Sequence, residues 1–261
     1  MQYNRGPANE LMGEVRSLTT AERQLLAPLL DLQSAADASA AYYALRHPSD
    51  RVLLLGDFAG PEVVRGFLAI ARTGLDLFRP VAIPFAAHPL GLINLLRAGL
   101  RPGQPVLLFL PVDQQAWVEE LVDLTDVRTM ALYRLDPALF EPVLNVLVTS
   151  TQSPEGLPRF EVRTPSGLHA AAGVNWRGDR FAEVYVESDA EGHARGFARS
   201  VLAAIVGQLL SERLVALYRV DELDTLAGAE AHAIGFRRTG ERTMIAQALL
   251  RALPSPDVRA A

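Results

Sequence analysis

The chain has 261 residues, 49% of them hydrophobic, and a formal net charge of −5 at pH 7. The negative charge argues against nucleic acid as the main partner. The lack of cysteine excludes disulfides, thiolate metal sites and a cysteine nucleophile. All 25 basic residues are arginine, which excludes a lysine Schiff base and a Walker-type nucleotide loop. The histidines lack metal-ligand spacing, no apolar run approaches ~18 residues and no signal peptide is read, so we expect a cytoplasmic protein with no metal and no membrane partner.

The first half of the chain alternates between strand and helix patterns. Apolar periodicity predicts helices over 19–44, 88–100 and 113–122, and strands over 51–57, 62–73, 75–85, 104–110 and 127–135. Asp136 and Pro137 suit the start of a further helix within 136–148. A polar cluster over 149–156 predicts the boundary between two halves, and the Pro-rich end over 254–261 predicts a disordered tail.

The second half holds the most informative segment, a predicted strand over 184–188 followed by a small-residue loop and a long helix. Apolar residues recur at helical spacing from Ala198 to Leu210, and the loop before them contains Gly192 and Gly196. A loop of this kind presents free backbone N–H groups at the positive end of a helix dipole. The pattern therefore predicts a phosphate-binding site, but not the dinucleotide fingerprint G-x-G-x-x-G, because only two glycines are present and they are four residues apart.

This loop resembles the coenzyme A loop of the GNAT N-acetyltransferase superfamily. In that family Arg or Gln is followed, after two residues, by Gly-x-Gly or Gly-x-Ala, and the pattern lies over 193–198 of this chain. The resemblance continues through a strand over 214–220, a helix that follows Asp224, and a Gly-Phe pair at 235–236 before a last strand. The ordered set covers residues 160–250.

Three positions depart from the family pattern. His193 stands where the family has Arg or Gln, Asp224 stands for Asn, and Ala231 stands for the tyrosine that often serves as general acid. Because phosphate binding depends on backbone amides, the first two changes leave that part of the site intact. The third change leaves the acid step without its usual residue.

The resemblance implies an α/β (α+β) tandem GNAT-like fold, with mixed central sheets flanked by helices. The first domain, 1–148, is expected to be a degenerate copy, because prolines at 84 and 89 lie where a coenzyme A loop would need N–H donors. The second domain, 149–253, is expected to bind acetyl-CoA. Residues 254–261 form the predicted tail.

The resemblance also implies the cofactor contacts. The strand backbone at 185–187 would hydrogen-bond the pantetheine, the loop amides would hold the pyrophosphate, and an amide near Val186 would polarise the thioester carbonyl. The predicted cofactor-binding residues are Tyr185, Val186, Glu187, His193, Ala194, Arg195, Gly196, Phe197, Ala198 and Asp224.

An amine acceptor must lose its proton before it attacks, so the reaction needs a base. Strand alternation places Glu183, Tyr185 and Glu187 on one face, and Glu187 is the first candidate for the base, with Glu183 second. His232, next to Ala231, is the candidate for the missing acid, although a shift of one residue turns a helical side chain by ~100°.

The expected function is transfer of an acetyl group from acetyl-CoA to a small-molecule or peptide amine by direct attack, in a protein that forms a homodimer. Two alternatives stay open at this point. One is a non-catalytic GNAT-like protein that binds CoA or serves as an assembly domain. The other is a relic of the fold that does not bind CoA.

Overall fold

A computed structural model describes residues 13–74, 76 and 78–251 in two compact units. Among the described residues, unit 1 lies within 13–29, 43–128 and 244–251, and unit 2 comprises 30–42 and 129–243. Two long strands therefore contribute to both units, one over Val122–Leu135 and the other over Phe236–Leu250. The division at 148/149 stays a prediction, and the predicted tail over 254–261 lies outside the described residues.

The strands of unit 1 form a mixed sheet. They are β1 (Glu14–Ser17), β2 (Val52–Gly60), β3 (Val63–Ala71), β4 (Val81–Ala86), β5 (Val106–Pro111), the start of β6 (Val122–Leu135) and the end of β12 (Phe236–Leu250). Their order is β1-β2-β3-β4-β5-β12-β6. The strands from β1 to β4 are antiparallel neighbours, whereas β4 and β5 run parallel.

The main helix of unit 1 follows β4. After a short α1 (Ala38–Ala41), which belongs to unit 2, comes α2 (Pro89–Gly99), with Pro89 at its first position, where no amide donor is needed. Leu92, Leu95 and Leu96 lie three or four residues apart and are fully buried. This stripe packs α2 into the core of unit 1.

The strands of unit 2 are also mixed in direction. Its own strands are β7 (Val148–Gln152), β8 (Pro158–Thr164), β9 (Gly167–Arg177), β10 (Phe181–Ser188) and β11 (Val215–Asp221), and its helices are α3 (Ala190–Ala194), α4 (Phe197–Ser211) and α5 (Thr225–Ile234). The order is β12-β6-β11-β10-β9-β8-β7. The predicted apolar stripe of α4 is the centre of the core, with Val201, Ile205 and Leu209 fully buried.

Several predicted helices are wrong in the first half. The segment over 19–44 forms a 3-10 helix at Ala21–Leu29 that contains Pro28, followed by the short α1 and a π-helical turn at Tyr42–Arg46. A proline inside a helix removes a hydrogen-bond donor and clashes with the preceding turn. The helix predicted over 113–122 is a 3-10 turn at Val112–Trp117. The helix predicted within 136–148 is a single 3-10 turn, Pro137–Leu139.

The interior of α4 provides a first test of the packing. Glycine inside a helix costs ~0.5–1 kcal/mol relative to alanine, and a Cβ on Gly207 would meet only Phe140 Cζ, at 3.7 Å. We expect Gly207→Ala to raise the free energy of unfolding by ~0.5–1 kcal/mol in urea titrations. The control is Gly99→Ala, because a Cβ at this position would lie 2.5 Å from Leu68 Cδ2. This variant should lower the free energy of unfolding. A loss of stability in Gly207→Ala would contradict the packing described for α4.

Candidate functional site

The central feature of unit 2 is a gap between two parallel strands. β10 and β11 are paired from Phe181 and Val215 to Val184 and Tyr218, and no pair beyond these joins them in the described chain. Past this point β10 continues against β9, and β11 continues against β6. Successive strand residues direct their backbone groups to opposite sides. Part of the N–H and C=O groups over 185–188 therefore face the gap, where an extended amide chain can add like a strand.

The predicted phosphate loop follows β10 directly. Gly196 adopts φ 70° between α3 and α4, a left-handed conformation that favours glycine. Within this loop the amides of His193, Arg195 and Gly196 donate to carbonyls of the α3 turn at 3.0 Å. In α4 the first intrahelical bond runs from the Ser200 amide to the Gly196 carbonyl.

Within the described residues, the amides of the first turn of α4 have no backbone acceptor. The first N–H groups of a helix have no intrahelical acceptor, and for residues 197–199 the described chain supplies no other backbone acceptor. Of the predicted loop amides, those of Phe197 and Ala198 lack a backbone acceptor in the described chain, as does that of Arg199, and both Phe197 and Ala198 are buried. Their position at the positive end of the helix dipole suits a phosphate.

The polar side chains of the loop make side-chain contacts within unit 2. His193 Nδ1 lies 3.4 Å from Glu230 Oε1 on α5, and Arg195 lies 2.9 Å from Glu191. The Arg195 guanidinium also stands 4.6 Å from the centroid of the Phe197 ring. These contacts fix the loop against α5 and the start of α4.

His169 on β9 supports the loop, a role that the local sequence pattern does not indicate. Its carbonyl accepts hydrogen bonds from the Asp189 amide at 3.0 Å and from Ser188 Oγ at 3.1 Å. A Cβ on Gly192 would lie 2.1 Å from the same carbonyl oxygen, so the loop needs glycine there. His169 thus lies 20 residues from Asp189 in sequence but in contact with it, which local pattern cannot reveal.

Arg159 on β8 brings two of the predicted site residues together. Its guanidinium donates to the Tyr185 hydroxyl and lies 3.3 Å from Glu187 Oε2. The Tyr185 ring covers Gly173 on the intervening strand, where a Cβ would be 2.7 Å from the hydroxyl. Because β8 is two strands from β10, ~10 Å away, both side chains lean away from the gap. The Glu187 side chain remains 63% exposed.

Glu183 is held apart from this pair. It is 3% exposed, accepts a hydrogen bond from Asn175 Nδ2 at 3.0 Å and forms an ion pair with Arg219 of β11. Its register partner is Leu217, one pair before the gap begins. The buried ion pair therefore joins β10 to β11 where the two strands are about to separate.

The helix α5 carries the remaining predicted residues. His232 is exposed, and its Nδ1 lies 3.0 Å from an Arg237 nitrogen on β12. Ala231 is fully buried. Asp224 is the N-cap of α5, and its carboxylate accepts a hydrogen bond from the Ala227 amide at 2.9 Å.

Tyr218 is a phenol at the gap that sequence reasoning missed. It is the last β11 residue paired with β10, and it is 7% exposed. Burial raises the pKa of its hydroxyl, and the charges of Glu230 and Asp224 raise that pKa further. The hydroxyl is therefore protonated at neutral pH, on the side of the sheet that α5 covers.

Asp224 caps the N-terminus of α5 and is also a predicted cofactor contact. Substitutions can distinguish these two roles. Loss of an N-cap side chain costs ~0.5–2 kcal/mol, so Asp224→Ala should lower the free energy of unfolding by about that amount. Asp224→Asn keeps the capping oxygen and should keep stability. Calorimetry with acetyl-CoA then decides the second role, since weaker binding by the Asn variant requires a contact with the carboxylate itself.

Unit 1 repeats the strand gap but not the loop. Within the described residues, β4 and β5 are paired at only two positions, Val81 with Leu107 and Ala82 with Leu108. The helix α2 begins shortly after β4 ends. The buried carboxylate of Asp57 lies against the first turn of α2, where a Cβ on Gly91 would be 3.3 Å from its Oδ2. A carboxylate of the chain itself therefore stands near the helix end at which an anion would bind.

No family model and no curated protein matches the sequence. Solved structures match at low identity over most of the chain. An acetyltransferase assigned to the GNAT family from Novosphingobium aromaticivorans has a TM-score of 0.56 and 15% identity over 71% of this chain and 89% of its own. A GCN5-related N-acetyltransferase from Sphaerobacter thermophilus has a TM-score of 0.59 and 13% identity over 92% and 96%.

A tandem arrangement is also found among the solved structures. A tandem GNAT protein from the clavulanic acid biosynthesis pathway has a TM-score of 0.59 and 11% identity, covering 92% of this chain and 99% of its own. The chain has the mixed α/β fold of the GNAT acetyltransferases. Its likeness to the tandem protein confirms the predicted fold class and the resemblance of both halves.

Two absences hold for the described residues. No helix in that part of the chain is long and apolar enough to span a membrane. Over the same residues, no group of three or more His, Asp or Glu side chains is placed to hold a metal ion.

Proposed function

We propose that the protein is an N-acyltransferase that moves an acetyl group from acetyl-CoA to a primary amine of a small molecule or peptide. The observation that carries this proposal is the gap after Val184 and Tyr218, followed beyond the short α3 by the first turn of α4, whose amides have no backbone acceptor in the described chain. The gap supplies backbone partners for an extended amide chain, and the helix end supplies them for a pyrophosphate. The GNAT fold supports acyl transfer in general, and acetyl-CoA and the amine are the proposed specifics.

Different residues of the site bind different parts of acetyl-CoA. Backbone groups at Tyr185, Val186 and Glu187 bind the pantetheine, and an amide near Val186 polarises the thioester carbonyl as negative charge develops on its oxygen. The left-handed Gly196 sets the start of α4, and the amides of residues 197–199 hold the pyrophosphate. His193, Ala194 and Arg195 shape the loop that leads to them, and Asp224 fixes the start of α5.

Glu187 is our candidate for the base. It is exposed and has one ion-pair partner, so it can pass a proton to solvent, whereas Glu183 is buried with Asn175 and Arg219. For the acid we propose Tyr218, whose hydroxyl stays protonated because it is buried and faces the charges of Glu230 and Asp224. His232 remains the alternative acid predicted from the sequence.

The experiment is a thiol-release assay with saturating acetyl-CoA and a broad amine panel. The proposal requires release of CoA above the hydrolysis rate with at least one amine. Glu187→Gln should then lower kcat by ~100-fold or more and leave the acetyl-CoA affinity unchanged. Glu161→Gln is the matched control, because Glu161 also contacts Arg159, at 3.7 Å, but has no proposed part in the chemistry. No release with any amine would contradict the proposal.

A second candidate is a GNAT-like protein that binds CoA without catalysis or serves as an assembly domain. The burial of Ala231 and the ion pair between Glu187 and Arg159 favour it, because neither position offers a free acid or base. A Glu187→Gln variant that binds acetyl-CoA but has lost turnover would eliminate this candidate. A cytoplasmic location and a homodimer also remain proposals, the latter testable by light scattering.

A further inference from the structure

A hydroxyl, an imidazole and a carboxylate form a chain of contacts on the β8–β9 hairpin of unit 2. Ser166 is an exposed residue in the turn that joins β8 to β9, and its Oγ lies 3.0 Å from His169 Nε2. On the other side of the ring, His169 Nδ1 lies 2.9 Å from Asp189 Oδ2. Glu191 Oε2 is 3.8 Å from the same Nδ1. These side chains take no part in the acyl transfer proposed above.

The environment assigns a role to each member of the chain. The Gly192 amide donates to Asp189 at 2.6 Å, and this bond, with His169, holds the pKa of the Asp189 carboxyl below its usual value. An ionised carboxylate on Nδ1 keeps the proton on that nitrogen, so the lone pair is on Nε2. His169 is 5% exposed, and its ring is fixed between the carboxylate and the hairpin turn.

Two hydroxyls lie within reach of Nε2. Thr164 Oγ1 is 2.8 Å from Nε2 and 2.7 Å from Ser166 Oγ. Thr164 is half-buried and accepts the Ser166 amide at 3.3 Å, whereas Ser166 is exposed. An external substrate therefore reaches Ser166 first, and Thr164 orients it.

We propose that Ser166, His169 and Asp189 form a nucleophilic site that reacts with activated carboxylic esters, separate from acyl transfer. Ser166 Oγ attacks the ester carbonyl and forms an acyl–oxygen bond while its proton passes to His169 Nε2. The bond to the leaving alcohol breaks, and His169 returns the proton to that alcohol. Water then attacks the acyl-serine, its proton passes through His169 to Ser166 Oγ, and the carboxylic acid leaves. Geometry and roles, rather than sequence order, define such a site.

A fluorophosphonate probe tests the nucleophile without CoA. Its phosphorus–fluorine bond breaks as the Ser166 Oγ–phosphorus bond forms, and fluoride leaves. Trypsin cleaves after Arg163 and Arg177, and the peptide 164–177 has Thr164 and Ser166 as its only hydroxyl side chains. We expect mass spectrometry to find the label on Ser166, and hydrolysis of p-nitrophenyl acetate to fall at least ~100-fold in Ser166→Ala.

Control variants distinguish a nucleophilic site from side-chain contacts that only stabilise the hairpin. Ser153→Ala lies in the neighbouring hairpin turn, where Ser153 Oγ accepts from the Leu157 amide at 3.2 Å, and it should label like the wild type. Asp189→Asn should slow labelling at least ~10-fold while circular dichroism shows an intact fold. A peptide 164–177 without label, label on Thr164, or hydrolysis that survives Ser166→Ala would overturn the proposal. None of these outcomes depends on whether acetyl-CoA binds.

Discussion

Replacement of Gly196 by aspartate is expected to weaken acetyl-CoA binding at least ~100-fold, about 2.8 kcal/mol. The residue lies at the start of α4 with φ 70°, and a Cβ there would meet no heavy atom of the described chain within 4 Å. The added carboxylate would therefore face the proposed pyrophosphate position. Two unit charges ~4 Å apart near a protein surface repel by about 4 kcal/mol. Isothermal calorimetry with acetyl-CoA and with CoA measures the loss.

The matched control is Gly196→Asn. Asparagine has nearly the same shape as aspartate and tolerates the left-handed conformation better than other residues, but it carries no charge. We expect its affinity to fall by less than ~10-fold. An equal loss of affinity in both variants would indicate that backbone strain, and not charge, weakens binding. Unchanged binding by the Asp variant would contradict the assignment of the pyrophosphate site to this loop.

The largest effect on stability is expected at the ion pair between Glu183 and Arg219. Both side chains are nearly excluded from water, at 4% and 9% exposure. Removal of one partner leaves a buried charge without compensation, which costs ~3–5 kcal/mol. We therefore expect Arg219→Met to lower the free energy of unfolding by about that amount in urea titrations.

A double-mutant cycle tests the reason for that loss. Glu183→Leu combined with Arg219→Met removes both charges, and an apolar pair of similar volume is often neutral or stabilising. The double variant should therefore recover most of the stability that Arg219→Met loses. Losses that simply add would show that the two side chains act independently.

The local sequence pattern was sufficient to predict an element where apolar residues recur with a regular period, as in α4, which begins after a glycine. The apolar stripe of α4 and the left-handed Gly196 at its start lie where the sequence predicts them, as do β10, β11 and α2. The patterns of apolar residues are long in these elements, and the two halves of the fold follow from their order. The helix predicted over 19–44 is wrong because Pro28 lies inside it, and a proline inside a helix removes a hydrogen-bond donor and clashes with the preceding turn.

The parts that the sequence did not reveal depend on pairing between distant residues. Arg159 meets Glu187 only because β8, β9 and β10 align in register, with Gly173 beneath the Tyr185 ring. His169 meets Asp189 for the same reason. The contribution of two long strands to both units is equally nonlocal. The base, acid and cofactor roles assigned to individual residues therefore remain predictions that substitution must test.

Hydrogen exchange with and without acetyl-CoA tests the central claim most directly, because it reports which backbone amides the ligand covers. We expect slower exchange over residues 185–188 and 197–199 in the presence of acetyl-CoA, and no change over residues 84–92, the corresponding segment of unit 1. Protection confined to unit 1, or none in either segment, would contradict the assignment of the coenzyme A site to the gap of unit 2.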